Sequence, residues 1–123
     1  MPINCGTRGD TKAAFTDIDS FDPDRFVAHL TEDVVFRFGN AEPLVGRTAV
    51  RDAVAQFFSS IAGLRHDILA LYEDGDVVVA KIDVNYTRHD GQVVVTPNAD
   101  ILTYEGDLVR DWQIYIDLAP VYA

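Results

Sequence analysis

The hydrophobic positions in the first half of the chain recur with the spacing of α-helices. A first helix is predicted over residues 11–18, with Asp10 as its N-cap and Ala14, Phe15 and Ile18 as its apolar face. A longer series of apolar side chains at helical spacing follows: Val50, Val54, Phe57, Phe58 and Ile61. This spacing predicts an amphipathic helix that ends at Gly63.

Between these helices the pattern predicts a shorter helix and a strand. Asp22 can cap a helix that has Pro23 in its first turn. The apolar stripe of this helix consists of Phe26, Val27 and Leu30. Residues 31–33 are expected to end the helix, residues 34–38 (VVFRF) to form a strand, and residues 39–46 to form a loop.

After Gly63 the hydrophobic period changes to two, which is typical of strands. Four strands are predicted, over residues 64–72, 76–87, 92–104 and 108–117. The turns between them are Asp74-Gly75, Asp90-Gly91 and Glu105-Gly106, which are good hairpin signals. Helices followed by a long antiparallel meander predict the α+β class. We expect residues 1–9 to be a flexible arm and residues 10–123 to be one domain.

Two of these strands carry polar and ionisable side chains at their centre. On the strand over residues 76–87, Lys81 and Asp83 lie on one face and the other face is wholly apolar or aromatic. On the next, Asn98 and Asp100 share a face. Either the apolar faces form the core and the polar faces meet water, or the helices cover the polar-bearing faces and enclose a pocket.

The last strand separates the same two kinds of side chain. Tyr115 and Asp117 lie on one face, and Trp112, Ile114 and Ile116 lie on the other. We favour the enclosed pocket, because the apolar stripes of three helices would otherwise have too little sheet to cover. The apolar outer face would then need a partner, so we expect a homodimer formed through it.

Composition and charge limit the classes of partner. Apolar residues make up 48% of the chain and charged residues 24%, which is the balance of a globular protein. A net charge of −10 disfavours binding to nucleic acid or to an anionic membrane. The first ten residues lack the apolar stretch of a signal peptide, so we expect a cytoplasmic protein. Phosphate-binding loops and metal-ligand spacings are absent from the sequence, so we expect neither cofactor nor metal.

Four segments, in this order, resemble the nuclear transport factor 2-like superfamily. They are LTEDVVFRFG, GRTAVRDAVAQFF, YEDGDVVVAKIDV and DWQIYIDL, and the similarity covers nearly all of the chain after residue 10. Within the superfamily the chain is most similar to the SnoaL-like and ketosteroid-isomerase-like group. The resemblance implies a cone, in which a curved, mixed or antiparallel sheet and three helices from the N-terminal half enclose a pocket.

The site positions of ketosteroid isomerases match this chain at one place. The resemblance puts Phe15 where those enzymes have a tyrosine and Phe38 where they have an aspartate base. Only Asp100 corresponds to their acid on a later strand. This argues against steroid isomerisation by their mechanism.

Limonene epoxide hydrolases match at a carboxylate pair. Lys81 and Asp83 take the place of their Arg-x-Asp, and Asp117 matches the aspartate that ends the last strand. Phe36 and Phe38 stand where those enzymes hold water. SnoaL-type cyclases also carry the late aspartate, although their nearby histidine has no counterpart in the last two strands.

These positions predict an acid/base site. Two carboxylates facing one apolar cavity repel each other and lose hydration, so that one can donate a proton while the other accepts one. We predict that Asp83 and Asp117 form this pair, with Lys81 as their electrostatic partner. The predicted substrate-binding residues are Asp100, Asn98, Tyr115, Phe15, Phe36, Phe38 and Phe57. A structural role is expected for His66, and sheet packing for Tyr86.

The predicted function is that of a cofactor-free enzyme which moves protons on a small, mostly apolar molecule, as an isomerase, cyclase or dehydratase does. Three alternatives stay open. They are an epoxide hydrolase, a non-catalytic protein that binds a small ligand, and an interaction module of the same fold.

Overall fold

The computed structural model describes residues 11–123, so the predicted arm over residues 1–9 and the cap Asp10 lie outside the described residues. The helices are α1 (Thr11–Asp19), α2 (Pro23–Val27), α3 (Arg47–Ser59) and α4 (Ala119–Tyr122). The strands are β1 (Leu30–Phe38), β2 (Leu44–Val45), β3 (Gly63–Asp74), β4 (Val77–Thr87), β5 (Val93–Glu105) and β6 (Leu108–Ile116). The predicted α+β class is confirmed. Within residues 11–123, every helix is too short or too polar to cross a lipid bilayer.

The six strands form one curled sheet in the order β2-β1-β6-β5-β4-β3. β1 runs parallel to β6, and the other neighbours are antiparallel. Irregularities in register occur along β1, β3 and β6, and such irregularities bend a strand. Helix α1 contacts β3 at one edge of the sheet, and α3 contacts β1 and β2 at the other edge. Helix α2 contacts both α1 and α3.

Local sequence signals account for several of the element ends. The Asp22 carboxylate accepts a hydrogen bond of 2.9 Å from the backbone N–H of Asp24, so Asp22 caps α2 as predicted. The predicted hairpin turns join β3 to β4, β4 to β5 and β5 to β6. In the first of them Gly75 has a φ of 60°, a left-handed conformation in which a side chain is unfavourable.

Two boundaries differ from the sequence pattern. Leu30 was expected in the second helix, but it begins β1, where it pairs with Val109 of β6 and is fully buried. Gly63 was expected to end α3, but that helix ends at Ser59, and Gly63 pairs with Thr87 as the first residue of β3. In both places the hydrogen bonds of the sheet outweigh the local helical period. Neither the two-residue β2 nor α4 was predicted.

The hydrophobic core lies between the concave face of the sheet and the helices. The core face of β4 is its apolar one, formed by Val78, Ala80, Ile82, Val84 and Tyr86, each at most 2% exposed. The indole of Trp112 is fully buried and packs edge-to-face against Phe15, Phe26 and Phe36. The expectation that the helices cover the face bearing Lys81 is therefore wrong. Burying the apolar face removes more hydrocarbon from water and leaves the charges hydrated.

Candidate functional site

A cavity lies inside the cone, between the concave face of the sheet and the helices. Its empty volume is about 440 Å³, counted with the open space at its mouth, and the centres of water molecules can occupy about 40 Å³ of it. The wall is mostly aromatic and aliphatic and includes Phe26, Phe36, Phe38, Phe57, Phe58 and Ile114. Its polar side chains are His66, Tyr86, Asn98 and Asp100. A cavity of this kind suits a small, mainly apolar molecule that has a few polar groups.

Asp100 is the only carboxylate on the cavity wall within residues 11–123, and it is 1% exposed. One of its oxygens accepts a hydrogen bond of 2.8 Å from Asn98 Nδ2, and the other accepts one of 2.8 Å from Trp112 Nε1. Burial raises the pKa of Asp100 to about 6, although the Trp112 hydrogen bond and the nearby His66 act to lower it. The carboxyl group can therefore exchange a proton near neutral pH.

The β-sheet register explains how Asp100 meets its two donors. Asn98 and Asp100 are two residues apart on β5, so their side chains point to the same, concave face. Trp112 on β6 lies opposite Leu102 of β5, and Leu102 is the next residue after Asp100 on the concave face. The carboxylate is held by elements of the sheet, so its orientation does not depend on a loop.

His66 on β3 is the second titratable group of the cavity, and its side chain is 8% exposed. Its Nδ1 lies 2.5 Å from one carboxylate oxygen of Asp19, and its backbone N–H donates to the other oxygen at 2.9 Å. An ionised carboxylate only accepts hydrogen bonds, so Nδ1 carries a hydrogen. Nε2 then lies on the opposite edge of the ring, and nothing in the described part of the chain forms a hydrogen bond with it.

Tyr86 on β4 adds a hydroxyl group to the cavity wall and is 2% exposed. Burial, together with the negative charge of Asp100, raises the pKa of this hydroxyl above its usual value. The group therefore stays protonated across the neutral range, and it can donate a hydrogen bond to an oxygen of a ligand.

The three residues predicted to be catalytic do not meet in a pocket. Lys81 is exposed, and Asp83 lies on the same convex face, because Ile82 between them points into the core. Asp117 is exposed beyond the end of β6, where its carboxylate accepts a hydrogen bond of 3.0 Å from the backbone of Ala119. The prediction that these groups share an inward hollow is wrong, and the predicted acid/base pair has no support from the geometry.

The predicted substrate-binding residues divide into two groups. Five of them line the cavity: Asn98, Asp100, Phe36, Phe38 and Phe57. Phe15 lies behind the wall, where its ring packs against His66 and Trp112. Tyr115 is 56% exposed on the convex face, away from the cavity.

The residues predicted to form a dimer interface also point inward. Trp112 is 0% exposed, Ile114 lines the cavity, and Ile116 packs against the buried core. The outer face of β6 instead carries polar side chains and Tyr115. The face of β6 that bears Trp112, Ile114 and Ile116 is therefore turned to the interior, and the homodimer stays a prediction.

The sequence pattern missed His66 as a residue of the site. The available signal was its position two residues after Leu64 on β3, because this spacing puts both side chains on one face, which is the concave face. Its partner Asp19 is 47 positions away at the end of α1, so their pairing arises only from the packing of α1 on β3.

Comparison with known proteins assigns the fold to a family. Residues 11–112 match the sequence pattern that defines the SnoaL-like domain. The chain belongs to the SnoaL-like domain family. Searching the curated proteins for a relative of this SnoaL-like protein gives no match.

Solved structures share the SnoaL-like fold at low sequence identity. A hypothetical protein from Catenulispora acidiphila, with a ketosteroid isomerase-like fold and in complex with trimethylamine, superposes with a TM-score of 0.82 at 18% identity, over 89% of this chain and 86% of that one. TerC, co-crystallised with polyporic acid, gives a TM-score of 0.78 at 15% identity, over 90% of this chain and 91% of that one. An epoxide hydrolase of M. tuberculosis, described as LEH-like, gives 0.76 at 15% identity, over 90% and 82%. At these identities the likeness concerns the fold alone.

Proposed function

We propose that this SnoaL-like protein is a cofactor-free enzyme that moves a proton on a small, mostly apolar carbonyl compound. The observation that carries the proposal is that Asp100 and His66 line one apolar cavity. Two titratable groups with different partners can hold a proton at two positions of the same bound molecule.

Asp100 is the base in this proposal. With a pKa of about 6 the carboxyl group is mostly ionised at pH 7, and it is still basic enough to take a proton from carbon. The hydrogen bonds from Asn98 and Trp112 fix both carboxylate oxygens, and each oxygen keeps a lone pair for the substrate. Fixing the base in this way removes the cost of orienting it during the reaction.

His66 and Tyr86 act on the carbonyl oxygen. When a proton is present on Nε2 of His66, that nitrogen donates to the oxygen while Nδ1 keeps its hydrogen bond to Asp19. The Tyr86 hydroxyl is a second donor on the same wall. Negative charge that develops on the oxygen is then stabilised by donors in a site with little water.

The step balances without a further reactant. In a β,γ-unsaturated ketone the C–H bond between the carbonyl group and the double bond breaks, and its proton goes to Asp100. The electron pair of that bond forms a carbon–carbon double bond while the carbonyl π pair moves to oxygen, which gives a dienolate. Asp100 then returns the proton to the γ-carbon, the carbonyl group re-forms, and the product is the conjugated isomer of the substrate. His66 and Tyr86 hold the enolate oxygen throughout.

Epoxide hydrolysis by Lys81, Asp83 and Asp117 has no comparable support. Lys81 is exposed and Asp117 is bound to the backbone of α4, so neither can meet a substrate in the cavity. Among the described residues, Asp100 is the only carboxylate on the cavity wall, so no second carboxylate is there to share the acid and base roles.

The test is the conversion of cyclohex-3-enone to its conjugated isomer cyclohex-2-enone, followed by ultraviolet absorbance and by deuterium uptake in D2O. The wild type should accelerate both, and Asp100→Asn should lower the rate by about 10²- to 10⁴-fold, as expected for loss of a general base. Asp83→Asn is the matched control, because it makes the same change on the convex face and should leave the rate unchanged. A wild type that binds the ketone without isomerising it would contradict the proposal and support a binding protein.

A further inference from the structure

Asn98 leaves one polar atom without a partner at the cavity wall. The residue is 9% exposed, and its Nδ2 donates to Asp100. Its Oδ1 is buried and has no hydrogen-bond partner among residues 11–123. Buried polar atoms are nearly always satisfied in folded proteins, so such an oxygen calls for a donor from outside residues 11–123.

The orientation of the amide is fixed by Asp100. A carboxylate offers only lone pairs, so the NH2 group of Asn98 must face it at 2.8 Å. Rotating the amide by half a turn would put two acceptors against each other. Oδ1 therefore keeps its place on the far side of the amide from Asp100.

The described surroundings of Asn98 do not supply the donor that Oδ1 needs. Its neighbour two residues back on the same face of β5 is Thr96, whose Oγ1 is also buried but forms no hydrogen bond with Oδ1 or with any other residue from 11 to 123. The cavity wall around Asn98 is mainly aromatic and aliphatic. An unsatisfied oxygen on a residue of this wall indicates a polar group of a bound molecule.

We infer that the ligand of this cavity carries a hydroxyl group that donates a hydrogen bond to Asn98 Oδ1. The inference rests on the proposed function for the carbonyl part of the ligand, and it narrows the substrate class to small hydroxylated ketones or enones. A methyl or methoxy group at the same place leaves Oδ1 unsatisfied, and a methoxy oxygen also sets lone pairs against it. Asn98 is therefore a specificity-determining residue.

The test compares three probes that differ at one position: 4-hydroxycyclohex-2-enone, 4-methylcyclohex-2-enone and 4-methoxycyclohex-2-enone. Their affinities for the whole protein are measured by NMR titration. The wild type should bind the hydroxy compound roughly tenfold more tightly than either analogue, the preference expected for one buried hydrogen bond. Equal binding of the three probes, or no binding of any of them, would overturn the inference.

Two leucine variants locate the preference. Asn98→Leu removes the acceptor and should abolish the discrimination between hydroxyl and methyl. Asn85→Leu makes the same change on the convex face of β4 and should preserve it, since Asn85 binds the Asp67 carboxylate outside the cavity. A preference that persists in Asn98→Leu would show that the hydroxyl group binds elsewhere, and the inference would be wrong.

The result is separable from the fate of the proposed function. If cyclohex-3-enone is not isomerised but the hydroxyl preference is present and depends on Asn98, the proposed catalysis fails and the specificity inference stands. If isomerisation depends on Asp100 but the three probes bind equally, the reverse holds. Folding of Asn98→Leu does not limit the test, because the wild-type comparison alone can overturn the inference.

Discussion

At the scale of single residues, the chemistry of Asp100 depends on a balance between burial and two neighbours. Loss of water disfavours the charged carboxylate, whereas the Trp112 hydrogen bond and the charge of His66 favour it. The result is a pKa of about 6 instead of the ordinary 3.8. A carboxyl group tuned in this way is useful to an acid/base site and costly to the fold.

This cost predicts a pH dependence of stability. The pKa of Asp100 is higher in the folded than in the unfolded chain, so the folded chain binds the proton more tightly between about pH 4 and pH 6. As the pH rises through that window the contribution of Asp100 to the free energy of unfolding falls by on the order of 3 kcal/mol. Asp100→Asn cannot titrate and should lack this loss.

Urea denaturation of both proteins from about pH 4 to about pH 7 measures the effect, since the two free energies of unfolding share every other titration. The wild type should lose stability relative to Asp100→Asn as the pH rises. A constant difference across this range would mean that Asp100 has an ordinary pKa and is not buried as described.

At the scale of elements, β4 shows what strand periodicity can and cannot decide. The alternation correctly divides Lys81 and Asp83 from Ile82 and Val84, but alternation alone does not say which face turns inward. The inward face is predicted wrongly because the apolar stripes of the helices were expected to need the face that bears Lys81 and Asp83, whereas they pack on the apolar face of β4. The pocket takes its polar groups instead from β5 and β3, where Asp100 and His66 lie on the concave side.

A matched pair of valines tests the direction of β4. Val84 is 0% exposed on the concave face, and Val79 is partly exposed on the convex face. Val84→Ala should lower the free energy of unfolding by about 2 kcal/mol, because it removes two buried methyl groups and leaves a cavity. Val79→Ala should cost clearly less, about 0.5 kcal/mol. Thermal or chemical denaturation gives both values, and equal losses would contradict the assigned faces.

Over the complete fold, the sequence predicts helices, strands and turns better than it predicts the contacts between distant segments. The α+β class, the helix around Val54 and the hairpin turns follow from local periods and turn residues, and they are found. The pairing of His66 with Asp19 and the burial of Trp112 beside Asp100 join distant segments, so local patterns contain little information about them. The candidate site is built from such pairings, and this is why its base and its histidine were not assigned together.

We propose that the proton-transfer chemistry of this protein takes place on the concave face, at Asp100 beside His66. The most direct measurement is an NMR pH titration of the aspartate side-chain carboxyl carbons. One aspartate should titrate near pH 6. This signal should be absent in Asp100→Asn, and it should move to higher pH in His66→Gln, because the charge of His66 lowers the pKa of Asp100. A signal near pH 6 that survives in Asp100→Asn, or aspartates that all titrate near their ordinary value, would contradict the account.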